Sequence, residues 1–302
     1  MYNLATQQAD AFQTNRIFIP DSKNRRNIGK ESSADIRMCW TCGSCDTECP
    51  VNIATGRLRP QKIVRLANLG FLDELLHMPE IWYCLTCRRC TNICPNVVSP
   101  STLIEYIRRK AIFSGIISMR TLRLYQDLFT RFQRVRWHAI HYCFKKELTV
   151  FTEKMWLDWQ ELPDRNSAQL ITFQKNTRVS SGIMDLMTAS GTQACFTCGE
   201  CSSACPIVSG RDIFDPRALF RMINLGMIDE LMQSPSIWLC IACGRCTESC
   251  SQLVDGRQII DQIREIAIQK GVLDSGFQQR VEQANEYIYK HFLNKIDLLL
   301  QQ

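Results

Sequence analysis

Apolar residues recur at helical spacing through most of this chain. After Asp215, which suits an N-cap, Pro216 fits the first position of a helix and Gly226 fits its C-terminal cap. The apolar positions of this predicted helix are Leu219, Phe220, Met222 and Ile223. The same arrangement lies 156 residues earlier, where Pro60 and Gly70 take the same places. Because no strand-like alternation of apolar and polar residues is evident, the pattern predicts an all-α protein.

Further segments have the same helical character. A short helix is predicted at "FLDELLHM" and at "MIDELMQS", and a longer one at "LIEYIRRKAIFSG" and at "IIDQIREIAIQKG". Residues 119–146 form a basic amphipathic stretch, and residues 277–302 extend about as far beyond the second set. We expect 119–146 to be a core helix with a basic outer face; binding to a membrane surface or to a partner's groove are the alternatives.

The chain consists of two copies of one unit. Of the 60 positions in 39–98, 25 are identical in 195–254, and only eight of these identities are cysteines. The scaffold between the cysteines is therefore repeated as well. We predict an N-terminal arm at 1–30, a first domain with a basic helical extension at 31–146, a connector at 147–190, and a second domain with a C-terminal helix at 191–302.

The cysteines are the strongest indication of function in this chain. The chain has 17 cysteines, and sixteen of them fall into four motifs with the spacing CxxCxxCxxxC. Proline follows the last cysteine in three motifs, and Ser251 follows it in the fourth. The N-terminus lacks a basic-then-apolar leader and no apolar run reaches about 18 residues, so we expect a cytoplasmic protein. In a reducing compartment, clustered thiols favour metal binding over disulfides.

This spacing is typical of two-cluster ferredoxins, in which three cysteines of one motif bind a 4Fe-4S cluster and the fourth binds the neighbouring cluster. Structural zinc and disulfides are the alternatives, but zinc sites usually separate two cysteine pairs by roughly 12–20 residues. We therefore predict four 4Fe-4S clusters. The expected ligands are Cys39, Cys42, Cys45 and Cys94 for cluster one; Cys84, Cys87, Cys90 and Cys49 for cluster two; Cys195, Cys198, Cys201 and Cys250 for cluster three; and Cys240, Cys243, Cys246 and Cys205 for cluster four.

Charge and missing motifs narrow the function. The formal net charge of +6 suggests nucleic acid or an anionic membrane. Four oxidised clusters with their thiolates would add roughly −2 each and bring the total to roughly −2. We therefore expect no nucleic-acid partner. No dinucleotide fingerprint, phosphate loop or adjacent cysteine pair is present, so we expect no catalytic residue and a role in electron transfer.

Other side chains have weaker signals. Cys143 has no partner in spacing and is expected to be an ordinary semi-buried thiol. Trp156 and Trp159 predict that the connector packs somewhere. The four histidines lie in helical segments outside the cysteine motifs, and no ligand or acid–base role is expected for them: His77, His138, His141, His291. Seven arginines near the motifs are expected on a solvated face, with screening of cluster charge or docking of a partner as the alternative: Arg57, Arg59, Arg88, Arg89, Arg211, Arg217, Arg245.

The motifs and the helix between them resemble the C subunit of heterodisulfide reductase, a small α-helical ferredoxin. The resemblance lies in "ASGTQACFTCGECSSACP", "RALFRMINLGMIDEL" and "SIWLCIACGRCTESC", and again in "MCWTCGSCDTECP" through "EIWYCLTCRRCTNICP". It implies two tandem α-helical ferredoxin domains, each with two 4Fe-4S clusters. It also implies two partners, one flavin-bearing like the family's A subunit, the other catalytic like its B subunit. The tandem arrangement departs from the family, whose member is normally single.

Three functions are compatible with these sequence features. The first is an iron–sulfur electron-transfer subunit that relays electrons through four clusters between a flavoprotein and a terminal catalytic subunit. The second is the iron–sulfur arm of a quinone-linked respiratory dehydrogenase, docked on a membrane subunit through residues 119–146. The third is a nucleic-acid-associated iron–sulfur or zinc protein, which has little beyond the formal charge in its favour.

Ser251 marks the one motif without a proline. Proline supplies no ligand atom, so its loss leaves a cluster site in place. Serine restores a backbone N–H and adds a hydroxyl, both of which are donors to a thiolate or a cluster sulfur. Since such hydrogen bonds stabilise the reduced form, we expect Ser251 to raise the potential of cluster three.

Overall fold

The computed structural model describes residues 19–146, 151–161, 190–208 and 213–302, and throughout these ranges the regular elements are helices without a strand. The all-α prediction is confirmed. The helices of the first half are α1 Ser22–Ser32, α2 Ser44–Thr47, α3 Pro50–Thr55, α4 Pro60–Leu69, α5 Leu72–His77, α6 Glu80–Tyr83, α7 Arg89–Asn92, α8 Pro100–Phe113 and α9 Met119–Phe144. They are followed by α10 Glu153–Asp158, α11 Glu200–Ala204, α12 Pro216–Asn224, α13 Ile228–Met232, α14 Ser236–Leu239, α15 Arg245–Glu248, α16 Gly256–Gln269 and α17 Phe277–Leu300.

The helix between the two motifs begins with a carboxylate cap in both halves, but the carboxylate comes from different positions. At the start of α12, Asp215 accepts the N–H of Arg217 at 3.0 Å. Before α4, the position equivalent to Asp215 is occupied by Arg59, which has no carboxylate. Asp46 of α2 takes its place and accepts the N–H of Gln61 at 2.8 Å. Either carboxylate satisfies an N–H that has no partner within its helix. Two different sequences therefore stabilise the same helix start.

The two long helices α9 and α17 pack along each other in the core. Phe132 of α9 stacks on Phe292 of α17 with ring centroids 4.0 Å apart, and both side chains are fully buried. This confirms that α9 is a core helix. Its basic character is not confined to the outer face, since Arg136 is also buried and donates to the carbonyl of Leu239 at 3.3 Å.

Each long helix also crosses to the other half of the chain. Helix α9 contacts α14, and α17 contacts both α3 and α6. Since α14 and α6 are equivalent in the two copies, the two crossings are equivalent as well. The copies are consequently joined by an exchange of their last helices.

The described part of the predicted connector packs against these long helices. Trp156 and Trp159 are both buried, and Trp159 stacks on Tyr142 at 4.9 Å between ring centroids. The packing expected from the two tryptophans is confirmed. The predictions for residues 1–18 of the arm, for 147–150 and 162–189 of the connector and for Arg211 lie outside the described residues, and the three boundaries between the four predicted segments stay predictions.

None of the helices described combines the length and the apolar character that crossing a membrane requires.

Candidate iron–sulfur sites

All four cysteine motifs share one backbone conformation. The residue before the second cysteine has a positive φ in each motif, at Thr41, Thr86, Thr197 and Ala242. The residue after that cysteine also has a positive φ, at Gly43, Arg88, Gly199 and Gly244. The third cysteine then lies on a one-turn helix, α2, α7, α11 or α15. Because left-handed backbone is costly for residues with a Cβ, its recurrence in all four motifs indicates a shared functional geometry.

Tertiary folding brings together cysteines from the first and second motifs of each half. One cavity is lined by four cysteines of the first half, a second by another four, and a third by four of the second half. Each set combines the three closely spaced cysteines of one motif with the last cysteine of the other. The sets are Cys39, Cys42, Cys45 with Cys94; Cys84, Cys87, Cys90 with Cys49; and Cys195, Cys198, Cys201 with Cys250.

The fourth predicted set is also brought together. The pKa of the Cys246 thiol is raised to about 12, first by burial and then by the neighbouring thiolates of Cys240, Cys243 and Cys205. Burial likewise raises the pKa of Cys205 to about 12, again with contributions from Cys240 and Cys243. Cys205 therefore lies beside the second motif of its half, not beside the cysteines that precede it in the chain.

The four sets differ in exposure. Cys42 and Cys198 are exposed, and these belong to the sets predicted for clusters one and three. Cys84, Cys87 and Cys90 are buried, as are Cys243 and Cys246. We call the four thiol sets sites one to four, after the clusters predicted for them. Sites one and three consequently lie at the surface and are the outer sites. Sites two and four lie inside and are the inner sites.

The thiol sets have the chemistry that an iron–sulfur cluster needs. All seventeen cysteines lie in the described part of the chain and all are free thiols. In equivalent turns, the N–H of Thr86 donates to the Cys84 sulfur at 3.3 Å and the N–H of Ala242 donates to the Cys240 sulfur at 3.4 Å. Within the described residues no three His, Cys, Asp or Glu side chains converge tightly enough for a single metal ion. The thiols line cavities instead, and soft sulfur ligands in groups of four suit a 4Fe-4S cluster.

A family comparison agrees with this geometry. A model of the 4Fe-4S dicluster domain matches residues 35–98 and again residues 191–254. Each half of the chain contains a 4Fe-4S dicluster domain. The tandem duplication and the two iron–sulfur domains predicted from the sequence are thereby confirmed.

Curated relatives carry the name of one protein family. The chain is 33% identical over 103 residues to the C subunit of the H(2):CoB-CoM heterodisulfide,ferredoxin reductase of Methanothermobacter thermautotrophicus, covering 30% of this chain and 54% of that protein. It is 39% identical over 88 residues to a protein of Archaeoglobus profundus that is named as similar to the C subunit of heterodisulfide reductase, covering 29% and 47%. It is 34% identical over 92 residues to the iron-sulfur C subunit 2 of the CoB--CoM heterodisulfide reductase of Methanocaldococcus jannaschii, covering 30% and 48%. The chain spans about half the length of these relatives, and its dicluster domains are similar to their iron–sulfur subunit.

A pair of equivalent arginines supports the second motif of each dicluster domain. Arg108 of α8 donates to the carbonyl oxygens of Ile81 and Cys84 at 2.6 and 2.7 Å. Arg264 of α16 donates to the carbonyl oxygens of Ile237 and Cys240 at 2.5 and 2.7 Å. Burial lowers the pKa of the Arg264 guanidinium, but arginine stays charged in proteins. Neither arginine has a signal in its local sequence; the signal that identifies them is their identity at equivalent positions of the duplicated α8 and α16.

Several arginines expected on a solvated face lie between the two dicluster domains. Arg57 bonds to Asp297 of α17 at 2.6 Å. Arg89 and Arg245 each donate to a carbonyl in the opposite domain. The expectation of a solvated face is wrong for these three residues, because the partner surface is another part of the same chain. The others behave differently: Arg59 pairs with Asp46, Arg88 is exposed, and Arg217 lines the cavity of site three.

The remaining predictions from the sequence have mixed outcomes. Cys143 is fully buried, not semi-buried, and its carbonyl accepts from Arg280 at 3.1 Å. Two histidines lie next to a carboxylate. His291 contacts Glu153, which is distant in sequence, and His77 lies 3.6 Å from Asp73, four residues earlier in the same helix.

Proposed function

We propose that this chain is an iron–sulfur electron-transfer subunit of a multi-subunit, heterodisulfide reductase-like oxidoreductase. The observation that carries the proposal is the crossed grouping of thiols: the last cysteine of each motif lies with the first three of the other motif in its domain. A two-cluster ferredoxin needs this arrangement, because it holds two 4Fe-4S clusters side by side in one small domain. No catalytic residue is predicted from the sequence, which suits a relay role.

Each of the four thiol sets would hold one cluster, and each cluster would supply one-electron redox chemistry. The protein's own groups set its properties. Backbone N–H groups donate to the sulfurs of Cys84 and Cys240, and the charged Arg108 and Arg264 lie beside the same two cysteines. Both effects favour the more negative, reduced form and raise the potential of sites two and four.

The partners belong to the proposal as well. The names of the relatives place them in heterodisulfide reductases, and we infer a flavin-bearing partner and a terminal catalytic partner for this chain. Peripheral docking on a membrane subunit has less support, because two basic residues of α9 bond within the protein. Arg136 is buried, and Arg134 donates to the Gln160 carbonyl at 3.1 Å.

Anaerobic iron and sulfide analysis tests the cofactor content. Four 4Fe-4S clusters predict about sixteen irons and about sixteen sulfides per chain. The Cys143→Ala variant is a matched control, because its thiol lies outside the four sets and its iron content is expected to be unchanged. Clearly fewer irons in the reconstituted wild-type protein would contradict the proposal.

The crossed ligand assignment has its own test. Cys94→Ala is expected to lower the iron content from about sixteen to about twelve per chain. Anaerobic alkylation followed by peptide mass spectrometry would then find Cys39, Cys42 and Cys45 newly reactive, although they lie about fifty residues upstream. Reactivity at Cys84, Cys87 and Cys90 instead would show that each motif binds its own cluster with all four cysteines.

A further inference from the structure

The second motifs of the two domains touch each other directly. Arg89 donates from Nη1 to the carbonyl oxygen of Ile241 at 3.1 Å. Arg245 donates from Nη1 to the carbonyl oxygen of Thr86 at 2.9 Å. Each accepting residue lies inside the CxxC turn of the other domain. The loops that carry the inner thiol sets are therefore held against each other by two reciprocal hydrogen bonds.

These contacts have two-fold pseudosymmetry. Arg89 and Arg245 occupy equivalent positions of the duplication, 156 residues apart. Asn92 donates to Glu248 at 2.6 Å, and these two residues are also equivalents. A residue that meets its own equivalent lies next to the symmetry axis. The axis consequently runs between the two second motifs.

The thiols of the inner sets lie close to this axis. Cys87 follows Thr86, whose carbonyl accepts from Arg245 of the other domain. Its equivalent, Cys243, lies two residues after Ile241, whose carbonyl accepts from Arg89. Sites two and four thus adjoin each other across the domain junction through equivalent turns.

The two long helices hold the junction between the domains together. Helix α17 of the second domain packs on α3 and α6 of the first, and its Asp297 accepts from both Arg57 and Tyr83 of the first domain. Helix α9 of the first domain packs on α14 of the second, where Arg136 reaches the Leu239 carbonyl. The core of the protein therefore holds the two domains together, and the two arginine contacts orient the second motifs against each other within this junction.

The other two sites lie at opposite ends of this arrangement. Each includes an exposed cysteine, Cys42 or Cys198. An exposed aromatic side chain follows the first cysteine of each, Trp40 at 76% exposure and Phe196 at 60%. Cys45 of site one lies on α2 and Cys90 of site two lies on α7, and these two helices pack against each other, so the outer site adjoins the inner site of its own domain.

We propose that the four sites form one continuous electron path in the order one, two, four, three, with Arg89 and Arg245 as positioning residues at its centre. The inference rests on the proposed function. Clusters held by the two inner sites would exchange one electron across this junction, one being oxidised as the other is reduced. The one-electron donor and acceptor are redox proteins that meet the exposed outer sites. A tandem of unconnected domains would instead serve two separate pairs of partners.

Electron paramagnetic resonance of the dithionite-reduced protein tests the path. The double variant Cys42→Ala/Cys198→Ala removes the two outer sites and is expected to retain about eight irons. Its reduced spectrum is expected to show spin–spin splitting between the inner sites, with a splitting in field units that is the same at two microwave frequencies. Adding Cys243→Ala is expected to leave about four irons and an unsplit signal.

The outcomes separate the inference from the proposed function. About eight irons with two unsplit, independent signals would overturn the continuous path and leave four clusters in place. Iron far below four per site in the wild-type protein would contradict the proposed function itself. If the double variant does not fold, the wild-type spectrum is compared with Arg245→Gln, which is expected to weaken the splitting between the inner sites at full iron content. The matched Arg88→Gln, at an exposed position in the equivalent turn, is expected to keep the splitting; equal spectra for the two variants would overturn the role of Arg245.

Discussion

At the scale of single residues, the cysteine turns require an unusual backbone. The position after the second cysteine is left-handed in all four motifs, and three of the four carry glycine there. Arg88 adopts the same conformation with φ +63°, despite its Cβ. Left-handed backbone costs roughly 1 kcal/mol for such a residue, so the surrounding fold must impose it. The glycines are readable in the sequence, but Arg88 shows that the turn is set by the site as a whole.

The Ser251 hypothesis gains a structural basis at this scale. Ser251 lines the cavity of site three next to Cys250, as Pro95 lines the cavity of site one next to Cys94. Ser251→Pro is expected to lower the potential of one cluster by roughly 20–60 mV, because a lost hydrogen bond is worth about 0.5–1.5 kcal/mol. Anaerobic redox titration measures the shift. The reverse change in the first domain, Pro95→Ser, is expected to raise one potential; no shift in either variant would refute the hypothesis.

Arg264 supports a second prediction about potential. Its side chain is only 16% exposed, and its charge beside the Cys240 carbonyl favours the reduced form of site four. Arg264→Gln keeps a donor for the carbonyl but removes the charge, which at several ångströms and an effective dielectric constant of about 20 is worth about 2 kcal/mol. We expect the potential of one cluster to fall by roughly 50–100 mV. Lys270→Gln, just after the same helix, is the control, since Lys270 is exposed; an equal shift there would point to general surface charge instead.

At the scale of the elements, helix starts and ends follow local rules. The predicted starts of α4 and α12 at Pro60 and Pro216 are confirmed, and so is the predicted cap at Asp215. The cap of α4 was not predictable, because Asp46 reaches Gln61 from a different helix. Local chemistry identifies a cap only when the capping residue directly precedes the helix.

The cap of α12 can be tested by substitution. Asp215 is buried and accepts from Arg217 N and from the Ser202 hydroxyl. Asp215→Ala is expected to lower the free energy of unfolding by about 1–2 kcal/mol, seen as an earlier loss of cluster absorbance on anaerobic heating. Asp35→Ala is a matched control, since Asp35 precedes a short helix without a side-chain cap hydrogen bond. Equal thermal midpoints for the two variants would contradict a capping role.

At the scale of the whole molecule, the two domains share one core. Helix α17 ends the second domain in sequence but packs along α9 and on α3 and α6 of the first. Arg57, Tyr83 and Arg136 then complete the contact with polar bonds across the domains. Because the exchange buries apolar side chains of both copies together, we expect the tandem to unfold as one cooperative unit.

Phe292 tests this cooperativity. It is fully buried and stacked on Phe132 of the other domain's long helix. Phe292→Ala is expected to cost about 3–5 kcal/mol and to lower the thermal midpoint of all the cluster absorbance in a single transition. Leu298→Ala on the same helix is the control, because Leu298 is largely exposed. A variant in which half of the clusters bleach at the wild-type temperature would show that the domains are independent.

Features that depend on neighbouring residues were predictable, and features that depend on distant ones were not. Periodicity, helix caps and cysteine spacing are local properties, and they sufficed for the helices, the duplication and the dicluster domains. The crossed thiol sets followed from motif spacing, and the geometry brings those sets together. The arginines at the junction had no local signal, because their partners lie about 150 residues away in the chain.

The sequence by itself determined that this protein is a tandem of helical, cysteine-rich domains with four thiol sets of one kind. Only the tertiary structure decided how the two domains meet, which places the second motifs face to face and the first motifs at the surface. The physical reason is that each long helix has an apolar face that its own domain does not fully cover. Burying these faces against each other selects one arrangement of the copies, and that arrangement determines which sites are neighbours.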